Sequence, residues 1–461
     1  SSNKVYGIDG EITVHLNDKD GNGKIEGTET AWIFFGLRRG GSSYYALDIS
    51  NPDAAPKLMW HIDSSDSDFT NLGQSWSKPK VAYSQLNTSG STASPVLFIG
   101  GGYDNNKDSS GVGTDDSKGQ AIYMLDAQTG KLLWSLETSG GSTSYSGTDS
   151  IPSAIGILDS TGDGLVDRLY AGDTGGNIWR VDMPGADKSK FSVFQLASLG
   201  HETSNLYDQR FFYEPTIVRT FISETIKTDV NDGIGGTKKI AVHQEIPYDA
   251  VLIGSGDRSN PLGKDTNDTL YMIKDSNVVT QTFSGSSVPP IPTVLNKSDL
   301  YDYTGNPFSK PMTTQEEETL KIAVSNTSGW YLDLLENGEK TTAAGLVING
   351  VAYFTTYSPA AVADLIDCKP PQGSGWLYAI DLALGIKKHL VVDDVRDNDN
   401  RAIKVNNEWL GSPTLIVLPE DDGDPNTVDD GKGDIIVGDA IIPVGFTLST
   451  SRTYLYRREQ Q

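Results

Sequence analysis

The apolar positions of this chain fall into short runs, most of five to seven residues, separated by stretches rich in Gly, Ser, Thr, Asn and Asp. Trp32–Gly36, Val96–Gly100, Arg168–Gly172, Val251–Gly254, Val351–Thr355 and Ile435–Gly438 are such runs, and most end in Gly. No segment shows a long 3.6-residue period, so the pattern predicts strands and turns and not helices. After these runs one motif recurs: Tyr or Trp, any residue, an apolar residue, Asp. It appears as Tyr45-Ala46-Leu47-Asp48, Tyr123-Met124-Leu125-Asp126, Trp179-Arg180-Val181-Asp182 and Tyr378-Ala379-Ile380-Asp381. A weaker copy is Tyr271-Met272-Ile273-Lys274-Asp275, and Tyr454-Leu455-Tyr456 is a remnant.

Several units open on a Pro-containing strand, at Pro79, Pro152, Pro215 and Pro413, and two close on a matching fourth strand, Lys57–Trp60 and Lys131–Trp134. One unit is thus a four-stranded antiparallel sheet. A single such sheet cannot bury both faces, so repeats must stack, and an all-β propeller is the expectation. Six units are clear. Gly329–Asp333 and Tyr6–Asp9 leave room for a seventh blade or a closing strand. A β-sandwich lacks this internal repeat. The insertions Asn105–Lys118, His201–Arg210, Glu224–Lys239 and Asp275–Glu318 read as long loops, the last as a surface loop. We expect one domain over 1–461, with N-terminal strands and a calcium loop in 1–30 and blades in 31–461.

Composition narrows the function. Asp and Glu number 61 against 37 Lys and Arg, a net charge of −24. That excess argues against a nucleic-acid partner and against anionic membranes. No apolar run is long enough to span a bilayer. The start at Ser1 reads as a mature or excised chain. Cys368 is the single cysteine, which excludes a disulfide scaffold and any multi-Cys metal site. The five His show no zinc spacing, and GxSxG and Walker-type loops are missing. Gly100-Gly101-Gly102 reads as a blade turn and Arg38-Arg39 as a structural pair.

Two loops have calcium spacing. Ca²⁺ takes six to eight hard oxygens, and a 12-residue loop supplies them from positions 1, 3, 5, 7, 9 and 12, with Gly at 6. In Asp18–Glu29 these are Asp18, Asp20, Asn22, the Lys24 carbonyl, Glu26 and Glu29, with Gly23 at position 6. The flanks read as strands, so we expect the loop without its two helices. In the second loop the ligands are Asp159, Thr161, Asp163, the Leu165 carbonyl and Asp167, with Gly164 at position 6 and Tyr170 where the closing Glu would stand. Clustered carboxylates repel without a cation; the alternative is an Asx-rich hairpin. Glu420–Asp434 has only partial spacing, spoiled by Pro425, and reads as a solvated loop.

Gly36–Asp48, Asp159–Asp182 and Gly375–Asp381 together resemble the C-terminal propeller of the PilC/PilY family of type IV pilus proteins. The resemblance covers about Trp32 to Tyr456. It implies a modified seven-bladed propeller with quinoprotein-like blades, and a calcium site in the loop at Asp159, Thr161, Asp163, Leu165 and Asp167. It further implies a role in pilus biogenesis, calcium-dependent control of extension and retraction (twitching motility), and adhesion at the pilus tip or outer-membrane surface of a Gram-negative bacterium. The partners it implies are pilin or minor pilins and a host-cell receptor, and the chain would be the C-terminal part of a larger protein. No Arg-Gly-Asp tripeptide is present. The alternative is a quinoprotein dehydrogenase holding pyrroloquinoline quinone and calcium in the funnel. Against it, Trp60 and Trp134 occupy structural strand positions and Cys368 has no neighbouring cysteine.

Overall fold

The computed structural model describes residues 6–448 apart from 110, 201–203, 232–236, 286–288, 361–371, 389–394, 397–398 and 420–430. Six sheets follow one another along the chain. The first is β1 (Ile12–Asn17), β2 (Thr30–Gly36), β3 (Ser43–Asp48) and β4 (Lys57–Asp63), paired in that order. The second is β5 (Lys80–Ser89), β6 (Thr92–Gly100), β7 (Ala121–Asp126), β8 (Leu132–Glu137) and the short β9 (Thr143–Ser144). The third is β10 (Gly156–Leu158), β11 (Arg168–Gly172), β12 (Asn177–Asp182) and β13 (Ser192–Ser198), extended by β17 (Leu295–Asn296) from a later segment. The fourth is β14 (Thr216–Asn231), β15 (Thr237–Gly254), β16 (Thr269–Asp275) and β19 (Gly329–Asp333), edged by β18 (Tyr301–Asp302).

The fifth sheet holds β20 (Lys340–Thr341), β21 (Leu346–Ile348), β22 (Val351–Ser358), β23 (Ser374–Asp381), β24 (Val395–Arg396) and β25 (Asp399–Asn406). The sixth is β26 (Thr414–Pro419), β27 (Gly431–Val437) and β28 (Ala440–Leu448). The expected repeat is therefore the observed one: the apolar run is the second strand of each sheet, ending in Gly in the first four, and the Asp-ending motif is the third strand of the first five.

The sheets pack face to face in sequence. Alternate residues of each strand point to opposite faces, so one sheet contributes to two cores. Phe34 and Trp32 meet Leu97 and Ile99 between the first and second sheets, and Val96 and Phe98 meet Leu169 and Ala171 between the second and third. Tyr170 and Ile178 then meet Val251 and Ile253, Leu252 and Met272 meet Phe354 and Tyr378, and Leu377 and Ala379 meet Ile435 and Val437. The segments leading into the first strands converge on one cleft, lined by Glu11, Lys78, Ala154, Glu214, Ala344 and Ser412. Stacked sheets with converging inner strands make this a propeller-type architecture.

The glycines that end the second strands have a steric cause. A Cβ on Gly36, Gly100 or Gly172 would lie 2.5, 2.5 and 2.6 Å from Ser75 O, Ile151 O and Phe211 Cβ, the segments entering the next sheet, and one on Gly254 would strike the Thr341 side chain. The motif aspartates turn the chain into the fourth strand. Asp48 accepts from the Ser50 N–H and Asp126 from the Thr129 N–H, at 2.9 and 2.8 Å. Trp60 is buried in β4, and its Nε1 donates across to Ala127 O at 2.9 Å, the structural role expected of it.

Three expectations need correction. Gly329–Asp333 is the fourth strand of the fourth sheet, not part of a seventh blade, and Tyr6–Asp9 forms no strand; six sheets are present among the described residues. The N-terminal strand β1 pairs with β2 throughout, Ile12 opposite Phe35 to Asn17 opposite Thr30. Asp275–Glu318 is not a surface loop: Phe283, Leu300 and Tyr303 are buried, and the segment supplies β17, β18 and the start of α1 (Thr314–Ser325). That helix opens with a capping box, Thr313 and Glu316 each bonding the other's backbone N–H. Finally, Glu224–Lys239 prolongs the β14–β15 hairpin, with pairs running out to Asn231 opposite Thr237. Cys368, His201, His389, Tyr454–Tyr456 and residues 420–430 of the third acidic stretch lie outside the described residues.

Candidate metal centre

Both calcium-type loops join the first and second strands of a sheet, β1 to β2 and β10 to β11. They share one backbone mould. Asp18 Oδ1 accepts from the Gly21 N–H and its Oδ2 from the Gly23 N–H, both at 2.8 Å. Asp159 Oδ1 accepts from Gly162 and its Oδ2 from Gly164, both at 2.7 Å. All four glycines have positive φ, from 69 to 85°. A left-handed residue is needed at positions 4 and 6 alike, and glycine takes that conformation without strain. Position 4 was readable in the sequence as Gly21 and Gly162, beside the Gly at position 6.

The N–H groups fix the carboxylates in their charged form. The Gly23 N–H, aided by Gly21 and opposed only by slight burial, holds the Asp18 carboxyl below its ordinary range. Burial pushes Asp159 up, but the N–H groups of Gly164, Gly162 and Asp163 outweigh it and the net direction is downward. Glu29 is lowered chiefly by the Glu26 N–H, then by that of Lys19.

The loops close differently. In the first, Glu29 accepts from the Lys19 N–H at 2.8 Å and the Glu26 N–H at 3.0 Å. Single carboxylate oxygens of Asp18, Asp20 and Glu29 lie within 4.8 Å of one another, the one such group of three His, Cys, Asp or Glu side chains among the described residues. Asn22 accepts from the Lys24 N–H at 2.7 Å, and Glu26 lies beside it, the Asn22 Nδ2 donating to Oε1 at 3.4 Å. In the second loop, Asp163 accepts from the Leu165 N–H at 2.9 Å and Thr161 donates to Asp159 at 3.3 Å. Asp167 is turned to Ser160, accepting from its N–H at 3.0 Å and its hydroxyl at 2.7 Å. Asp159, Asp163 and Asp167 do not form a three-carboxylate group of the same tightness. Both donor sets are hard oxygens on preshaped loops, the donor chemistry that Ca²⁺ and other hard divalent cations take.

The second loop is tied to the interior. Thr280 donates to Asp167 at 3.2 Å, and Arg168 Nη2 donates to Thr280 at 3.0 Å. Arg168, wholly buried on β11, pairs with Asp249 of β15 at 2.6 Å. Arg219 of β14 pairs with the same Asp249 at 2.9 Å and also donates to Ser160 O at 3.3 Å. Next to it Arg180 holds Asp182 at 2.7 Å and Asp275 at 2.6 Å. Burial alone would lower Arg180, but Asp182, Tyr170 and Asp275 together outweigh it and its guanidinium is held charged. These two motif aspartates thus serve an ionic network between the third and fourth sheets, a role that sequence spacing does not reveal.

A family model described as the PilY1 beta-propeller domain matches residues 2–206, the first three sheets and the segment beyond. Over these residues the chain is similar to the PilY1 family. A PilY1 homolog of Xylella fastidiosa, a type IV pilus biogenesis factor, is 24% identical over 401 residues, 82% of this chain and 23% of that protein. PilY1 of Pseudomonas aeruginosa strain PAO1 is 25% identical over 428 residues, 86% of this chain and 34% of the relative. The chain therefore spans no more than about a third of these relatives. The crystal structure of the Pseudomonas aeruginosa PilY1 C-terminal domain superposes with a TM-score of 0.58 at 19% identity, covering 95% of this chain and 84% of that one. These relatives are named for pilus biogenesis. No helix among the described residues is long and apolar enough to cross a membrane.

Proposed function

We propose that the chain is the calcium-binding propeller of a type IV pilus-associated protein, acting without chemistry of its own in pilus biogenesis and adhesion. The observation that carries the calcium reading is the shared mould of the two loops, with Asp18, Asp20 and Glu29 drawn together in the first. The ligands are Asp18, Asp20, Asn22, Lys24 O, Glu26 and Glu29, and Asp159, Thr161, Asp163, Leu165 O and Asp167. The pilus role rests on the relatives' names, and the partners it implies are pilin or minor pilins, with a host receptor for adhesion.

Control of extension and retraction would come from the second loop. An empty site leaves its carboxylates mutually repelled; a filled one fixes the hairpin and the surface beside it. We read the ring as one domain of the modified seven-bladed kind. The open apolar stripe of Ile12, Val14 and Leu16, each more than half exposed on β1, supports a further sheet beside the first. The placement is the pilus tip or outer-membrane surface.

The test has two arms. Calcium titration calorimetry on this chain should show two sites, and Asp163→Ala should remove one while Asp20→Ala removes the other. The full-length Asp163→Ala protein, at matched level in its host, should alter surface piliation and twitching. No calcium heat from the intact chain would sink the metal reading. Normal piliation and motility with proven loss of the second site would leave calcium a structural ion.

A further inference from the structure

Away from both loops, a cavity of about 590 Å³ opens among Arg39, Asp108, Arg210, Asp257, Asp268 and Lys340, which come from four of the six sheets' connecting segments and strands. Most of its charges are matched. Arg39 pairs with Asp108, its Nη2 donating at 2.9 Å, and Arg210 with Asp208 and Asp257 at 2.7 and 3.2 Å. Lys107, also on the wall, is taken by Asp149 at 2.6 Å.

Two groups remain. Asp268 precedes β16 and is 1% exposed. Its Oδ1 accepts from the Ser255 hydroxyl at 2.7 Å, while its Oδ2 has no hydrogen-bond partner. Burial pushes this carboxyl up to about 7, with Ser255 and then Lys340 drawing it back. Lys340 is 3% exposed, and its Nζ donates to Gly263 O at 2.8 Å and Gly338 O at 2.7 Å. An ammonium has three donors, so one is unused. A buried carboxylate oxygen without a partner is costly and is the kind of group that ligand sites retain.

We propose that this cavity binds a small zwitterion of the amino-acid class, its ammonium donating to Asp268 Oδ2 and its carboxylate accepting from Lys340 Nζ. The site offers one buried acceptor and one buried donor, on carboxylate and ammonium groups that are electrostatic neighbours, and the surrounding ion pairs leave no second buried centre of unmatched charge to compete. Bonds in which both partners are charged are the strong ones, and they orient a ligand too small to gain much from apolar contact. The inference does not depend on the calcium loops.

The experiment is titration of the whole chain with L-alanine, L-glutamate and L-lysine, read by saturation-transfer NMR and calorimetry, with propylamine as competitor. At least one amino acid should bind below about 10 mM, and propylamine should displace it. Asp268→Asn should weaken binding about tenfold or more, the scale of a lost hydrogen bond to a charged group. Ser255→Ala, which leaves Oδ2 in place, should keep most of it. No binding by any of the three would mean that an ordered water satisfies Oδ2 and would overturn the proposal. So would binding that propylamine does not displace, an arm that needs no variant to fold.

Discussion

Asp18 and Asp159 receive the same two backbone N–H groups, but the carboxylates that close their loops answer to different neighbours. Glu29 bonds only N–H groups of its own loop, on an exposed hairpin at the start of the chain. Asp167 is held by Ser160 and Thr280, and through Arg168 and Arg219 it reaches a buried aspartate on the next sheet. An ion in the first loop can order little beyond that hairpin. An ion in the second pulls on a carboxylate wired to two sheets. A ligand set alone does not make a regulatory site; what its closing residue is bonded to decides how far binding is felt.

The comparison breaks most sharply at Asp249. Asp249→Ala removes the 2.6 Å partner of the buried Arg168 guanidinium and leaves it Asp182 at 3.7 Å, a change that costs on the order of 3 kcal/mol. Urea unfolding of the calcium-free chain should show a loss of that size, while Asp18→Ala leaves the midpoint almost unmoved. Equal effects would mean that the second loop is no better anchored than the first.

A finer cut is Thr280→Val. It removes the hydroxyl joining Ser160, Asp167 and Arg168 at nearly constant volume, for about 1 kcal/mol. Calorimetry should then show weaker calcium binding at the second loop and unchanged binding at the first. Loss at both, or at neither, would refute a tether specific to the second.

The smallest expected effect is in acid. Asp18 and Asp159 are both lowered in the folded chain. A carboxyl lowered by folding contributes stability that is full above its unfolded value, about 3.9, and is lost as pH falls through the folded one. Acid titrations without calcium should therefore show a shallow loss confined to below about pH 4, reduced in Asp18→Asn and in Asp159→Asn alike. A loss starting near neutrality would point to other groups.

Much of this was legible in the chain. The second and third strands of the second to fifth sheets are buried on both faces along most of their length, so their apolar runs recur visibly, and the two acidic loops carry their oxygen-bearing side chains within a dozen residues. Asp275–Glu318 was not legible, because Phe283, Leu300 and Tyr303 are buried one at a time, at irregular spacing, against elements far away in sequence. The Thr313–Glu316 box could have announced α1. Nothing local could have paired Arg168 with Asp249 or Arg180 with Asp275, since 81 and 95 residues separate them. Asp268 and Lys340 join across different sheets for the same reason.

Gly36, Gly100, Gly172 and Gly254 each leave a gap one methyl wide for the segment that enters the next sheet. These four positions act as close-fitting joints between successive sheets: the outer loops can lengthen without disturbing neighbours, whereas a single alanine at a joint would wedge two sheets apart. The molecule is free to diversify at its edge because its joints have no tolerance at all.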